Sequence, residues 1–475
     1  MKNKYFNKEN IKNMLIIGII FIILLSTQYL FPINIMQKTL YLYYVEIILI
    51  GIFIISIIDI FIKKKKINIK KKEFIILSLF ILWFLILTIY RFIVYRDITG
   101  GFIIFRVLTF PILLTFLLRQ YKIDKKNIMY ALILFVSYTN IYQIHNIMTI
   151  SNSFRIAKAL QNINIYLCFM LALVPFLILI LNNNKEKDGK TKYILNTIIG
   201  LNLIIITVIA LLSGSRIGFL MCPIVLILSY YIINKINIKS LIESSIFGIL
   251  VFISIFTLIK FDIYDARENL ARSVNPILQT FNKEINFNST EENNSNNNSN
   301  IEENENNDNE NNEVIIKPPI PEKENPNIEQ NNPIIENTLE NSTIVDSNNM
   351  RNLLWEKSIV FIKANPIFGK SSPDIEIDMY FSNFAVPSKM IQSPHNFILE
   401  IWLALGLPGM CIYFVIILSM MLKILVSKIN LEIKINFILS MFAIFGFSFF
   451  QPLVTSYFVI SITLWLIIYL YLKEA

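Results

Sequence analysis

The chain has 475 residues, of which 55% are hydrophobic and only 16% are charged, whereas a soluble chain has about 45–50% apolar and about 25% charged residues. A net charge of +9 would suit a nucleic-acid partner, but the basic residues lie between apolar segments, which indicates membrane topology instead. Cys168, Cys222 and Cys411 all lie inside apolar segments, so neither a disulfide framework nor a thiolate metal site is expected. The composition predicts an all-α polytopic membrane protein and excludes nucleic-acid binding.

Apolar segments of about twenty residues recur along the chain, each long enough to cross roughly 30 Å of hydrocarbon as a helix. Backbone groups in lipid must be hydrogen-bonded within the segment, so helices are expected. The pattern predicts about twelve transmembrane helices, the first of them a retained helix and not a cleaved signal peptide. The predicted spans are 14–31, 40–62, 74–95, 102–118, 128–149, 159–181, 193–212, 217–234, 241–260, 397–426, 434–450 and 453–472.

Lysine and arginine are concentrated in alternate loops between these spans, for example at 2–12, 63–72 and 185–192. Cytoplasmic loops carry this excess in membrane proteins. We therefore expect a multi-pass protein of the cytoplasmic membrane with both termini inside and the one long connection, 261–396, outside.

The predicted helices and the long connection divide the chain into four regions. Residues 1–260 hold helices 1–9, 261–349 form a mostly disordered external loop, 350–396 form an ordered external segment over the candidate site, and 397–475 hold helices 10–12. Disorder is expected from Lys283 to Asn349, because this Asn/Glu tract has too little apolar surface to offset chain entropy. We interpret the tract as a spacer, with binding of cations or of a basic partner as the alternative.

The ordered segment opens with a stretch, 351–364, whose apolar spacing predicts an amphipathic helix. Asn365-Pro366 is expected to end it, because the residue before proline disfavours the helical conformation. Such a helix outside the membrane would lie over the transmembrane bundle.

The chain has two histidines. His145 falls within the fifth predicted span, where a hydrogen bond to a neighbouring helix is its expected role. His395 lies at the start of the tenth, where Asn396 or Ser393 would already suffice as a helix cap. It is either an interfacial side chain or a general base, since an imidazole accepts protons near neutral pH. Glu400, five residues on, is too far round a helix to be assumed its partner.

The short loops on the predicted outer side hold few basic residues, among them Arg91, Arg96, Arg155 and Arg216, and Arg351 opens the ordered part of the long loop. Each lies against the positive-inside bias, and the candidates for a site are Arg155, Arg216 and Arg351. Converging guanidiniums suit a pyrophosphate, because their forked donors match its oxygens and stay charged. Each one taken singly is also explained by snorkelling or a headgroup contact. Their location on the same membrane face as His395 favours an anion site. Arg106, inside the fourth predicted helix, fits either role.

Four short motifs carry these residues. They are R-x-x-x-W with P-x-x-G at 351–355 and 366–369, H-N-x-x-L-E with G-x-x-G at 395–400 and 406–409, S-x-S-R at 213–216, and R with N-x-N at Arg155, Asn162 and Asn164. In their order and spacing across a long outer loop they resemble the signatures of the O-antigen ligase/polymerase superfamily. These are integral-membrane enzymes that extend or transfer polysaccharides carried on undecaprenyl diphosphate.

The resemblance implies a metal-independent, inverting glycosyltransferase without a cofactor, an O-antigen ligase or a polysaccharide polymerase of cell-envelope biogenesis. His395 would assist the attacking acceptor hydroxyl, and Arg216 and Arg351 would hold the diphosphate leaving group, with Arg155 as a further member. The implied partners are an undecaprenyl-diphosphate-linked glycan donor, a glycan or wall acceptor, and other polysaccharide assembly proteins. Ligases and polymerases share these motifs, so the acceptor stays open.

The chain departs from the superfamily pattern at two places. An Asn/Glu-rich insertion precedes Arg351, and Lys370-Ser371 stands where the pattern has a second glycine after P-x-x-G. Neither departure removes a residue of the expected site, but the second affects the expected local turn.

Two other classes of protein remain as alternatives. A twelve-helix transporter or lipid-linked glycan flippase would be expected to show two related halves and a polar site at mid-membrane, whereas we find no internal repeat. A membrane anchor whose long loop binds a partner would depend on 350–396 but tolerate replacement of His395.

Overall fold

The chain folds into a helical bundle with two short antiparallel hairpins. The structure, a computed structural model, describes residues 8–35, 38–63, 71–95, 99–151, 153–154, 160, 162–183, 190–235, 237–279, 347–370, 375–379, 388–451 and 453–473. Its elements are α1 (Lys8–Ser26), β1 (Leu30–Ile35), β2 (Lys38–Tyr43), α2 (Tyr44–Lys63), α3 (Lys71–Tyr95), α4 (Thr99–Gln120), α5 (Lys125–Asn146), a π-helical turn (Ile147–Ser151), α6 (Ile163–Asn183), α7 (Lys190–Leu212), α8 (Arg216–Asn234), α9 (Ile238–Lys260), α10 (Ala266–Gln279), α11 (Ser347–Ala364), β3 (Ile375–Met379), β4 (Ser388–Gln392), α12 (Phe397–Val426), α13 (Leu431–Phe450), α14 (Leu453–Ser456) and α15 (Phe458–Leu472).

A helix overlaps every predicted span, although 453–472 is divided into α14 and α15, so the helical, multi-pass character of the chain is confirmed. Within the described residues, eight helices are long and apolar enough to cross a membrane, namely α1, α3, α6, α7, α8, α9, α12 and α13. Helix α15 is apolar but shorter. A count of twelve crossings therefore stays a prediction.

Helix α6 is the centre of the bundle. Its apolar stretch Ile163–Asn182 is 94% buried, whereas that of α9, Ile238–Lys260, is only 6% buried. A helix that is apolar all round is expected to be enclosed by other helices, while a peripheral one faces lipid. Helices α8, α13 and α15 pack around α6. Of these, α8 begins at a candidate site residue, Arg216, and α13 contacts Phe397, close to His395.

A β-hairpin lies between the first two helices, where the sequence predicted helix, so the predicted end of the first span and start of the second are wrong. The spans 14–31 and 40–62 were expected to be helical throughout, but α1 ends at Ser26 and α2 begins at Tyr44. Between them β1 pairs antiparallel with β2, Leu30 opposite Tyr43. Both strands are rich in β-branched and aromatic residues, which favour extended backbone. Pro32 also disfavours a helix, because it has no backbone N–H to donate.

The long connection contains more helix than predicted. Helix α10, Ala266–Gln279, lies in the region 261–349 that was expected to be mostly disordered, and α11 begins at Ser347. The remainder of the predicted spacer, residues 280–346, lies outside the described residues. The amphipathic helix predicted over 351–364 is confirmed as α11, which ends before Asn365-Pro366 as the proline rule requires.

Helix α12 is broken at Gly406, whose φ of 66° and ψ of 174° are not helical. The break divides the predicted continuous span into a half-helix, 397–405, and a second helix, 407–426. The cause is an exchange of hydrogen bonds with another segment of the chain. The Leu403 carbonyl accepts from the Lys370 N–H (2.7 Å), and the Leu407 N–H donates to the Pro366 carbonyl (3.0 Å).

The two signature glycine motifs thus pack on each other, and we call residues 366–370 and 402–407 the glycine junction. A Cβ at Gly369 would lie 2.4 Å from the Leu403 carbonyl oxygen, and one at Gly406 would lie 1.9 Å from that of Ile367. Both glycines are needed because backbone meets backbone. Lys370 forms its part of the turn without the second glycine that the superfamily pattern has there.

Helix α3 anchors the glycine junction to the bundle. The Phe368 ring stacks on Tyr90 at 4.0 Å between centroids and on Trp83 at 5.9 Å. The Trp83 indole N–H also donates to the Leu405 carbonyl at 2.8 Å. The junction is therefore attached to a transmembrane helix by aromatic packing and by a hydrogen bond.

Replacing Gly406 with alanine is expected to destabilise the protein strongly. The backbone conformation alone costs about 1–3 kcal/mol for a residue with a side chain, and the added methyl would collide with the Ile367 carbonyl. Gly248→Ala is the matched control, because this helical glycine has no atom within 4 Å of an added Cβ. The apparent melting temperature of detergent-purified protein should fall for Gly406→Ala and not for Gly248→Ala. Equal melting temperatures would contradict the claim that the glycine junction requires Gly406.

Candidate functional site

His395 lies in the link between β4 and α12, in a strained backbone conformation. Its φ is 52°, a left-handed value that few non-glycine residues adopt, although histidine does so more often than most. Asn396 caps α12 by accepting hydrogen bonds from the N–H groups of Ile398 (3.0 Å) and Leu399 (3.3 Å). The cap predicted from the sequence is therefore Asn396, and the imidazole is not needed for that role.

The environment of His395 keeps its imidazole neutral. Burial lowers the pKa of His395 below its ordinary value of 6.5, and the positive charge of Arg351 lowers that pKa further. The Nδ1 atom is buried and has no hydrogen-bond partner among the residues the structure describes. A half-buried imidazole that is neutral at pH 7 is able to accept a proton.

Helix α11 brings Arg351 to His395. Arg351 and Trp355 are one helical turn apart, so they share a face of α11. The Trp355 indole N–H donates to the Pro394 carbonyl, next to His395, at 2.7 Å, and its ring packs edge-on against Phe449 at 6.2 Å. The R-x-x-x-W motif is thereby explained, because the tryptophan fastens the helix that carries the arginine to the histidine link.

The half-helix 397–405 runs beside α11 in the same direction, and we call these two helices the helix pair. The middle of α11 meets the segment just before the half-helix at the contact between Trp355 and Pro394, and the ends of the two helices meet at the glycine junction. Buried apolar side chains fill the space between them, namely Leu354, Ile362, Ile375 and Leu403, with Leu399 and Trp402 at the edge. One rigid unit therefore holds both Arg351 and His395.

The break in α12 folds the start of the half-helix back against the bundle. In a straight helix, Phe397 and Phe414 would be about 25 Å apart, yet their ring centroids are 6.0 Å apart. Phe397 also stacks on Phe445 of α13 at 5.6 Å. Glu400 accepts a hydrogen bond from the Thr455 hydroxyl in α14. Glu400 thus contacts the bundle. This agrees with the prediction that Glu400 lies too far round the helix to be taken as the partner of His395.

Arg216 is the first residue of α8 and is exposed. Ser215 caps this helix by accepting from the Gly218 N–H at 3.2 Å, and its hydroxyl donates to the Asn164 side-chain oxygen at 2.8 Å. The Asn164 N–H in turn donates to the Asn162 side chain at 2.8 Å. The S-x-S-R and N-x-N motifs, far apart in sequence, are therefore joined directly by a hydrogen bond.

A short chain of contacts links the start of α8 to the His395 link. Met221, little more than one turn beyond Arg216, packs against Gly446, where an added Cβ would lie 3.2 Å from the methionine methyl. Gly446 follows Phe445, on which Phe397 stacks. Arg216 and His395 therefore lie on the same end of the bundle, on neighbouring elements.

Arg155 lies outside the described residues, so its role stays a prediction. The residues before it are described, and they approach the turn that precedes Arg216. Asn269 of α10 donates to the Ser153 hydroxyl at 3.5 Å, and a Cβ at Gly214 would lie 3.6 Å from the Asn269 side-chain oxygen. Helix α10, which sequence reasoning missed, covers this turn.

Two residues considered from the sequence are placed away from the site. Arg106 forms a buried ion pair with Glu46 at 3.1 Å inside the bundle, so its charge is already compensated. His145 is exposed, which corrects the expected hydrogen bond to a neighbouring helix. Its neighbour Asn140 makes that contact instead, because its amide faces inward and donates to Asn202 of α7 at 2.6 Å.

Arg91 is a residue that the sequence analysis named in no functional role. It was one of several basic residues in short outer loops, and no motif distinguished it. In the structure it is 2% exposed and donates to three backbone carbonyls of the glycine junction. The sequence does carry one signal for Arg91: it is an arginine near the end of an apolar helix. Such a residue needs a specific set of acceptors when it is buried.

The fold and the site define a multi-pass membrane protein with a neutral histidine and two arginines on elements at one end of its bundle. Residues 201–414 match the O-antigen ligase family. The predicted resemblance is thereby confirmed, and the chain is related to the O-antigen ligase superfamily through this region. The matched region includes Arg216, Arg351 and His395. No curated protein and no solved structure gave a significant match.

Proposed function

We propose that this protein is a membrane glycosyltransferase that moves a glycan from undecaprenyl diphosphate to a hydroxyl acceptor on the outer face of the membrane. The O-antigen ligase match supports ligase- or polymerase-type chemistry in a membrane. The observation that carries the proposal is the hydrogen bond from Trp355 to Pro394, which fastens the helix of Arg351 to the His395 link; burial and the Arg351 charge also lower the pKa of His395.

In the proposed reaction, the acceptor hydroxyl attacks the anomeric carbon of the donor sugar while His395 takes the hydroxyl proton. A new carbon–oxygen bond forms as the bond between the anomeric carbon and the diphosphate breaks. The leaving group is undecaprenyl diphosphate, and its charge is held by Arg216 and Arg351. Attack opposite the leaving group inverts the configuration of the anomeric carbon.

The guanidiniums stabilise charge that develops as the bond breaks, which is the type of interaction that lowers a barrier instead of merely strengthening binding. Arg351 has a second effect, because its positive charge disfavours protonation of His395. The same arginine thus keeps the base in its active form and faces the departing anion.

The test is the glycan profile of a deletion strain with and without the wild-type chain. We expect the strain without the protein to lose polymer or transferred glycan and to accumulate lipid-linked units on the outer face of the membrane. Accumulation on the inner face would instead support the flippase alternative. Identical profiles with and without the chain would contradict a role in polysaccharide assembly.

A further inference from the structure

Arg91 holds the glycine junction from the side of α3. Its Nη2 atom donates to the carbonyls of Lys370 (2.7 Å), Phe368 (3.1 Å) and Leu403 (3.3 Å). The side chain is almost completely buried. A single guanidinium therefore contacts both segments that cross at the junction.

The charge of Arg91 matches the electrostatics of the junction. The half-helix 397–405 ends here, and α11 ends at Ala364, immediately before the P-x-x-G turn. Carbonyl oxygens at helix ends carry partial negative charge, which a nearby cation stabilises, more so when both are buried. The planar guanidinium holds its Nη2 donor in a fixed position among the three carbonyls, whereas lysine is a point charge on a flexible stem.

We propose that Arg91 is a positioning residue, which sets where Arg351 and His395 lie by holding the glycine junction at the opposite end of the helix pair. The proposal rests on the proposed function for its catalytic consequence. Arg91 itself faces backbone carbonyls, so it orients the site without touching the substrate.

Because the helix pair is long, a small tilt at the glycine junction becomes a larger displacement of the side chains at the site. Arg351 is thirteen residues from Ala364, which is about 20 Å along a helix. A tilt of about 3° at the junction would move Arg351 by about 1 Å over that length. Misplacement of this size can lower a catalytic rate by about 100-fold.

The contact between Trp355 and Pro394 makes the two residues move together. A tilt of the helix pair would therefore displace Arg351 and His395 jointly relative to Arg216, which is on α8. We expect the loss of Arg91 to lower turnover more than donor affinity, because it changes the relative positions of the groups that take part in the reaction.

Arg91→Lys tests the proposal, with Arg267→Lys as the matched control. Arg267 makes contacts of the same kind, donating to the carbonyls of Ile259 (2.8 Å) and Lys260 (3.0 Å) at the end of α9, a helix that carries no proposed site residue. The measurements are kcat and KM per folded molecule in liposomes, and backbone hydrogen exchange of the same proteins.

For Arg91→Lys we expect kcat to fall by roughly 10- to 100-fold with a much smaller change in KM, and faster exchange in 347–370 and 393–406. Arg267→Lys should keep kcat near the wild-type value and show faster exchange only near the end of α9. If Arg91→Lys does not fold, Trp83→Phe, which removes the hydrogen bond to Leu405 and reduces the ring area that stacks on Phe368, should change kcat and exchange in the same direction but less.

Wild-type kcat in well-folded Arg91→Lys, or unchanged exchange in both segments, would overturn the proposal. The exchange measurement does not depend on catalysis. An inactive wild-type protein would thus count against the proposed function alone, while the exchange pattern would still decide whether Arg91 holds the helix pair.

Discussion

His395→Ala should abolish measurable glycan transfer while leaving the protein folded. Removing a general base lowers a rate by about 10²–10⁴-fold, and the capping of α12 by Asn396 does not involve the imidazole. The folded yield should therefore stay close to that of wild type.

The matched control is His145→Ala, which replaces the other histidine of the chain at an exposed position on α5. Transfer is measured as labelled glycan product per folded protein in deletion-strain membranes. We expect His145→Ala to behave as wild type. Normal transfer by His395→Ala would eliminate the general-base role.

Arg→Lys substitutions at Arg216 and Arg351 should each lower turnover by about 100-fold. Lysine keeps the charge but loses the forked donors that match two diphosphate oxygens. Arg216 is exposed and Arg351 half-buried, so neither substitution leaves a cavity in the core. Near-normal turnover in both variants, at matched abundance, would remove the diphosphate role.

The pH dependence of the Arg351 variants separates its two effects. The pKa of His395 lies below 6.5 because of burial and of the Arg351 charge, so activity should fall only as the pH drops below 6.5. Arg351→Gln removes a charge that lowers this pKa, so the fall should move to higher pH. Arg351→Lys keeps the charge and should leave the fall where it is, although turnover is reduced.

Local rules account for the part of the fold that the sequence predicted. Apolar length located the helices of the bundle, and proline chemistry located the end of α11 at Asn365-Pro366. The capping preference of asparagine located the start of α12. Each of these features depends on residues within a few positions of one another.

The break at Gly406 could not be predicted in this way. The run 397–426 is predominantly apolar, and Pro408 signals a kink near Gly406, but local rules do not say which segment of the chain the break meets. What breaks the helix is the segment 366–370, which is more than thirty residues away in sequence and exchanges hydrogen bonds with it. The two glycine motifs were recognised separately, but their contact is a tertiary property.

The residues of the candidate site likewise divide into those that the sequence predicts and those that only the folded structure reveals. His395, Arg216 and Arg351 were predicted from their chemistry and motifs, and the structure joins two of them through the helix pair. Arg91 was missed because its importance lies in three backbone acceptors that only the folded chain brings together. Helix α10 was missed because the Asn/Glu tract after it dominates the composition of the loop.

Reconstitution tests the central claim most directly. Purified wild-type protein and His395→Ala would be placed in liposomes with an undecaprenyl-diphosphate-linked glycan and an acceptor glycan, in the presence of EDTA. We expect the wild-type protein to release one undecaprenyl diphosphate for each new glycosidic bond, and His395→Ala to release almost none. Equal release by both proteins, or no bond formation by a folded wild-type protein supplied with its cognate donor, would contradict the account.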